Sequence, residues 1–275
     1  MSLSQSELKA HFETLATSYE HGSGGCTRQL AKCLLEILPP VKSESIIHDN
    51  ACGPLVVTSE IVNLVESQHI RPPTIKATDY AEAMVSVCQS LISERQWTSV
   101  TASVMDAQDL KFEDESFTHS ITNLGIFALP DPGKGFKEIY RTLKPGGTAV
   151  VTTWKDPGNM RHVHRIQKRI RPDLPLFYPV NPAWQEESTL GTALLDGGFD
   201  KSKTKIMEKK VFIVAKDVDD LIDNMVCSSF WMAAQKDWTK DERAKWGEVA
   251  REELTEEHRK TAKIEMVAWV AVAEK

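Results

Sequence analysis

The most constraining feature of the chain is a regular alternation of strand-like and helical patterns between residues 45 and 155. Short β-branched runs occur at 45–48, 74–78, 100–104, 117–124 and 148–154. Between them, Met84, Cys88, Leu91 and Ile92 make one apolar helical face, and Phe136, Ile139, Tyr140 and Leu143 make another. Such alternation predicts a parallel sheet with helices on both faces. Lys144-Pro145-Gly146-Gly147 ends the last of these helices and turns the chain into the next strand.

The flanks differ. Leu8, Phe12, Leu15 and Tyr19 recur at helical spacing, and Gly22-Ser23-Gly24-Gly25 breaks the pattern. A second helix is predicted over about 27–38, with Thr27 as N-cap and Pro39-Pro40 as the stop. Beyond residue 153 lie six of the seven tryptophans, a helix ending at Gly197-Gly198-Phe199, a strand near 205–214, a long helical region from 217 to about 259, and a final strand at 264–273. With no repeat, low-complexity tract or clear linker, residues 1–275 read as one domain with a C-terminal cap.

Composition narrows the function. The net charge of −6, with no basic stripe longer than the stretch from Arg161 to Arg171, argues against nucleic acid as a partner. The five cysteines are scattered and never spaced Cys-x-x-Cys, which suits free thiols better than a disulfide or zinc framework. The first sixteen residues lack an apolar signal core, and no apolar run is long enough to span a membrane, so a cytoplasmic location is expected.

The informative segment is Ile46-Ile47-His48-Asp49-Asn50-Ala51-Cys52-Gly53-Pro54-Leu55, a strand, a small-residue turn and a helix start. In an open α/β sheet ligands bind at the carboxyl ends of strands, where such a turn admits close backbone approach and the helix offers free N–H groups. Asp79 ends the second strand 30 residues after Asp49. Met105-Asp106-Ala107 ends the third, and a run from Glu138 to Gly147 precedes the fifth. Together, and in this order, these motifs resemble the class I S-adenosylmethionine-dependent methyltransferases, in a form similar to fungal biosynthetic small-molecule enzymes. A nicotinamide fingerprint, Gly-x-Gly-x-x-Gly, is not present after the first strand.

The resemblance covers residues 45–155 well and implies an α/β fold: an open, mostly parallel Rossmann-like methyltransferase sheet with helices on both faces and an antiparallel C-terminal strand. It divides the domain into N-terminal helices (1–40), a cofactor-binding core (45–155), substrate-cap elements (156–262) and a last strand (263–275). S-adenosyl-L-methionine is the implied cofactor. Asp79 and Tyr80 would serve the ribose, Asp106 the adenine amino group, and Met105 the ring face. Asp49, Ala51 and Gly53 would form the turn, with Tyr19, Met84, Ala107 and Asn123 completing the cofactor contacts. Two positions depart from the family pattern: Ala51 and Leu55 replace glycines, and Leu55 is expected to put bulk beside the methionine moiety.

Methyl transfer from a sulfonium is an in-line displacement, so alignment and water exclusion are the main tasks, and a base is needed only for a protonated acceptor. His162 and His164 follow the fifth strand and are the candidate bases; the competing reading is two exposed histidines in a basic stretch. Lacking a third ligand, His-x-His does not point to a metal. His119 reads as a core histidine and His48 as one packed against a helix. Phe127, Trp154 and Trp231 are the expected acceptor contacts, with Ser229, Phe230, Met232 and Trp238 as further cap residues. The implied function is methylation of an O or N atom of a small-molecule, secondary-metabolite acceptor. Two alternatives share the fold: a cyclase on a methyltransferase scaffold, and a non-catalytic partner in a biosynthetic or regulatory complex. The sequence leaves the oligomeric state open.

Overall fold

The structure, a computed structural model, describes residues 4–226 and 229–275; Cys227 and the side chains of Ser229 and Phe230 lie outside the described residues. Helices α1 (Gln5–Leu15), α2 (Tyr19–Gly22) and α3 (Cys26–Leu35) precede the sheet. The alternating core follows as β1 (Ile46–Asn50), α4 (Val56–Ser67), β2 (Thr74–Asp79), α5 (Glu82–Glu94), β3 (Val100–Val104), β4 (Phe117–Asn123), α6 (Pro132–Thr142) and β5 (Leu143–Pro157). Then come α7 (Gly158–Ile170), α8 (Glu187–Asp196) and β6 (Thr204–Val214). Five short helices, α9 (Val218–Val226), α10 (Ser229–Met232), α11 (Lys240–Ala244), α12 (Trp246–Glu252) and α13 (Glu256–Thr261), lead into β7 (Lys263–Glu274).

The seven strands form one sheet in the order β3-β2-β1-β4-β5-β7-β6. Pairs among β1 to β5 are parallel, and β7 runs antiparallel between β5 and β6. Side chains alternate between the two faces, as the strand pleat requires. Val150, Ala268 and Val270 pack with Leu30, Ile61 and Val163 on one face; Ala149, Val151 and Trp269 pack with Phe136, Ile139 and Leu194 on the other. Strand order reverses between β1 and β4, which opens a crevice at their carboxyl ends.

Three expectations need correction. Gly25, at φ 72°, is the N-cap of α3, and Thr27 sits inside its first turn. The helical region from 217 to 259 is broken, because Thr239 and Thr255 each start a new helix with a capping box. His48 packs within the sheet's aromatic layer, stacked 4.9 Å from Phe117 and bonded to Thr78 at 2.9 Å, rather than against a helix.

Candidate active site

At the end of β1 the backbone turns sharply through Ala51 and Gly53, both at positive φ (52° and 50°). Asp79, at the end of β2, holds this turn. Its carboxylate accepts from the Gly53 N–H at 2.9 Å and from the Ala81 N–H at 3.0 Å. Burial pushes the Asp79 pKa up, and these backbone donors oppose that shift. A carboxylate has about four lone-pair sites, so Asp79 keeps acceptor capacity for a ligand.

The turn and the neighbouring strand ends enclose a cavity of about 350 Å³. Of the residues singled out in the sequence, Tyr19, Ala51, Gly53, Asp79, Tyr80, Met84, Met105, Asp106 and Asn123 line it. Asp49 and Ala107 do not. The Asp49 carboxylate turns instead to α4, accepting from the Thr58 N–H (3.1 Å) and hydroxyl (2.6 Å). Burial raises its pKa to about 7. Asp49 therefore pins β1 to the helix behind the turn. Ala107 is buried beneath the wall.

Leu55 also differs from expectation. It adopts a left-handed conformation (φ 62°) and is fully buried with Cys52, Ala77 and Cys88, so its bulk does not enter the cavity. Leu55→Gly would relieve roughly 1–2 kcal/mol of backbone strain but would lose packing of the kind that costs about 2–5 kcal/mol when a buried leucine is truncated. The expected outcome is a net loss of stability in thermal or denaturant unfolding, with unchanged affinity for S-adenosylhomocysteine in protein that remains folded.

A second cavity, of about 200 Å³, adjoins the first. Phe127, Trp154 and Trp231 all line it; Met232 is exposed and Trp238 is buried elsewhere. Its largest unanticipated contribution comes from the N-terminal helices, through Leu8, His11, Phe12, Leu15 and Tyr19. Phe12, Tyr19, Leu124 and Ala128 line both cavities and so form their shared wall. Helix α1 is tied over this junction by Glu13, whose carboxylate accepts from the N–H groups of Glu82 (2.9 Å) and Ala83 (2.8 Å) at the start of α5. Asn123 ties α3 to the end of β4, donating to the Thr27 carbonyl at 3.3 Å while accepting from the Thr152 hydroxyl.

His162 and His164 line neither cavity. On α7, Met160 faces the second cavity, and His162 lies about 200° around the helix from it. There His162 is fully buried, receives a 3.1 Å bond from Arg165, and lies 6.1 Å from the His258 ring. Burial lowers its pKa to about 4. His164 sits one turn beyond Met160, where its Nε2 is 2.8 Å from the Phe177 carbonyl. His164→Ala is expected to leave turnover within about threefold, since typical general-base losses start near a hundredfold. The histidine that does line the second cavity is His11, which burial holds neutral with a pKa of about 4. Its only sequence signal was its position beside Phe12 on an amphipathic helix.

A methyltransferase-domain family matches residues 49–151, the stretch that holds the β1 turn, Asp79 and Asp106. The chain is an S-adenosylmethionine-dependent methyltransferase. It is similar to methyltransferase tpcH of Aspergillus fumigatus, with 25% identity over 82% of this chain and 84% of that one. It is also similar to the acetylaranotin bis-thiomethyltransferase of Aspergillus terreus, with 25% identity over 73% of this chain and 69% of the relative. Among solved structures, a phosphoethanolamine N-methyltransferase of Haemonchus contortus superposes with a TM-score of 0.60 at 16% identity, over 99% of this chain and 60% of that one, and shows the shared fold. The methyltransferase's first cavity fits its cofactor chemically: a buried carboxylate, backbone at positive φ, two methionines, and the buried Tyr80 hydroxyl, which has no hydrogen-bond partner within the protein. Among the described residues no helix is long and apolar enough to cross a membrane, and no cluster of three or more His, Cys, Asp or Glu could hold a metal.

Proposed function

We propose that the protein transfers the methyl group of S-adenosylmethionine to an oxygen or nitrogen atom of a small-molecule acceptor, of the kind made in secondary metabolism. The observation that carries this reading is the shared wall: a cavity at the strand ends lined by Asp79 and Asp106 adjoins a second cavity, and Phe12, Tyr19, Leu124 and Ala128 line both. A donor in the first and an acceptor in the second would meet there, shielded from water by α1 and α2. In-line alignment of this kind contributes on the order of 7–11 kcal/mol.

Asp79 takes the ribose hydroxyls in this reading, with Tyr80 beside it. Asp106 accepts from the adenine amino group, Met105 packs on the ring, and Ala51 and Gly53 bring backbone to the ligand. The bound cofactor supplies an activated methyl group on a sulfonium. His11, neutral and on the acceptor side, receives the acceptor's proton. The unpaired thiols of Cys26, Cys33, Cys52 and Cys88 suit a reducing compartment such as the cytosol. The test is metabolite profiling with a methyl-labelled donor: a product heavier by one labelled methyl supports the reading. Its absence, in protein that binds S-adenosylhomocysteine, favours the cyclase alternative.

A further inference from the structure

We propose that the acceptor is an uncharged aromatic molecule, selected because no described residue lining the second cavity carries a formal charge. The inference rests on the acceptor role given to that cavity above. Among its described lining residues there is no Asp, Glu, Lys or Arg. Its lining includes the aromatic side chains of Phe12, Phe127, Trp154, Tyr178, Trp184 and Trp231, among aliphatic neighbours. Large flat faces of this sort favour offset or edge contacts with another ring.

Two of the charged residues that adjoin the cavity in sequence are paired away from it. Lys155 pairs with Glu208 and Asp156 with Arg161, both at the surface. The polar groups that remain are neutral, and several are engaged. The Asn159 side chain accepts from the Met160 N–H and that of Asn181 from the Ala183 N–H. A phosphorylated or carboxylated acceptor would lose its hydration with no counter-charge to replace it. An ammonium acceptor would gain from the aromatic faces. It would still lack a carboxylate partner to offset its lost hydration. A neutral aromatic alcohol meets neither penalty, and its hydroxyl can reach a neutral side chain such as His11.

The experiment compares three probes on the same ring system: 2-naphthol, 2-naphthyl phosphate and 2-naphthylmethylammonium. Each is titrated into protein saturated with S-adenosylhomocysteine, followed by quenching of Trp154, Trp184 and Trp231 fluorescence and by calorimetry. The expected result is 2-naphthol binding at least ~10-fold more tightly than either charged probe. Asn159→Lys, which places a cation in the wall, is expected to narrow or invert the gap with 2-naphthyl phosphate, with its thermal melt confirming the fold. Equal or tighter binding of a charged probe, or no 2-naphthol binding in protein that takes S-adenosylhomocysteine, overturns the inference alone. Failure to bind S-adenosylhomocysteine removes the methyl-transfer reading, and this inference with it.

Discussion

Asp79→Ala is expected to weaken S-adenosylhomocysteine binding at least ~10-fold and up to ~150-fold, the span of roughly 1.5–3 kcal/mol for a lost charge-assisted hydrogen-bond acceptor. Two effects add. The ligand hydroxyls lose their acceptor, and the β1 turn loses its tether, because the Gly53 and Ala81 N–H groups both donate to this carboxylate. Asp79→Asn separates the two. Its single amide oxygen can keep one backbone donor while the charge disappears, so affinity should fall between the wild type and the alanine variant. Calorimetry gives the affinities and thermal unfolding shows how far the turn itself has loosened. Wild-type affinity in Asp79→Ala would take Asp79 out of the cofactor site.

The contrast between Asp79 and Asp49 shows what a sequence can and cannot convey here. Strand position was legible from periodicity, and the 30-residue spacing placed both carboxylates at neighbouring strand ends. Side-chain direction was not, because it depends on what stands behind the turn. For Asp49 that is the first turn of α4, where Thr58 offers two donors and draws the carboxylate away from the crevice. Leu55 follows the same logic. A family pattern shows a glycine replaced, but only the left-handed backbone shows that the side chain leaves toward Ala77 and Cys88.

The acceptor side was legible only in part. Phe127 follows the end of β4, and Trp154 lies in β5 just beyond its parallel pairing with β4, so topology sends both to the crevice. His162 misses the cavity for a reason of helical phase, and His164, one turn beyond Met160, is engaged by the Phe177 carbonyl. Both follow the fifth strand, but α7 has already begun at Gly158, and each further residue rotates by about 100°. Asn159 and Met160 take the cavity face and His162 takes the opposite one. The N-terminal helices contribute through a tertiary contact, Glu13 on α5, 69 and 70 residues away in sequence. No local pattern announces such a bond, and so His11 read as one more polar residue on an amphipathic helix.

That position makes His11→Gln the substitution expected to affect turnover most. Glutamine keeps a side chain of similar reach and a hydrogen-bonding end but cannot take up a proton. General-base assistance is typically worth about 10²–10⁴-fold, and two features of His11 place it near the lower end. Burial makes the ring a weak base, with a pKa of about 4, so it drives proton removal less strongly than a base poised near neutrality. The oxyanion left behind would stand beside the imidazolium in a cavity with no other formal charge among its described walls, and their attraction recovers part of that loss. A fall of about a hundredfold in turnover is therefore expected, measured as transfer of labelled methyl into a panel of hydroxynaphthalenes. S-adenosylhomocysteine affinity should hold within about threefold, because His11 lines only the acceptor cavity and a tenfold change would need about 1.4 kcal/mol of lost contact. A rise of that size in the Michaelis constant alone would make His11 a residue that positions the acceptor without moving its proton. Unchanged turnover would leave alignment, with no base from this helix, as the source of the rate.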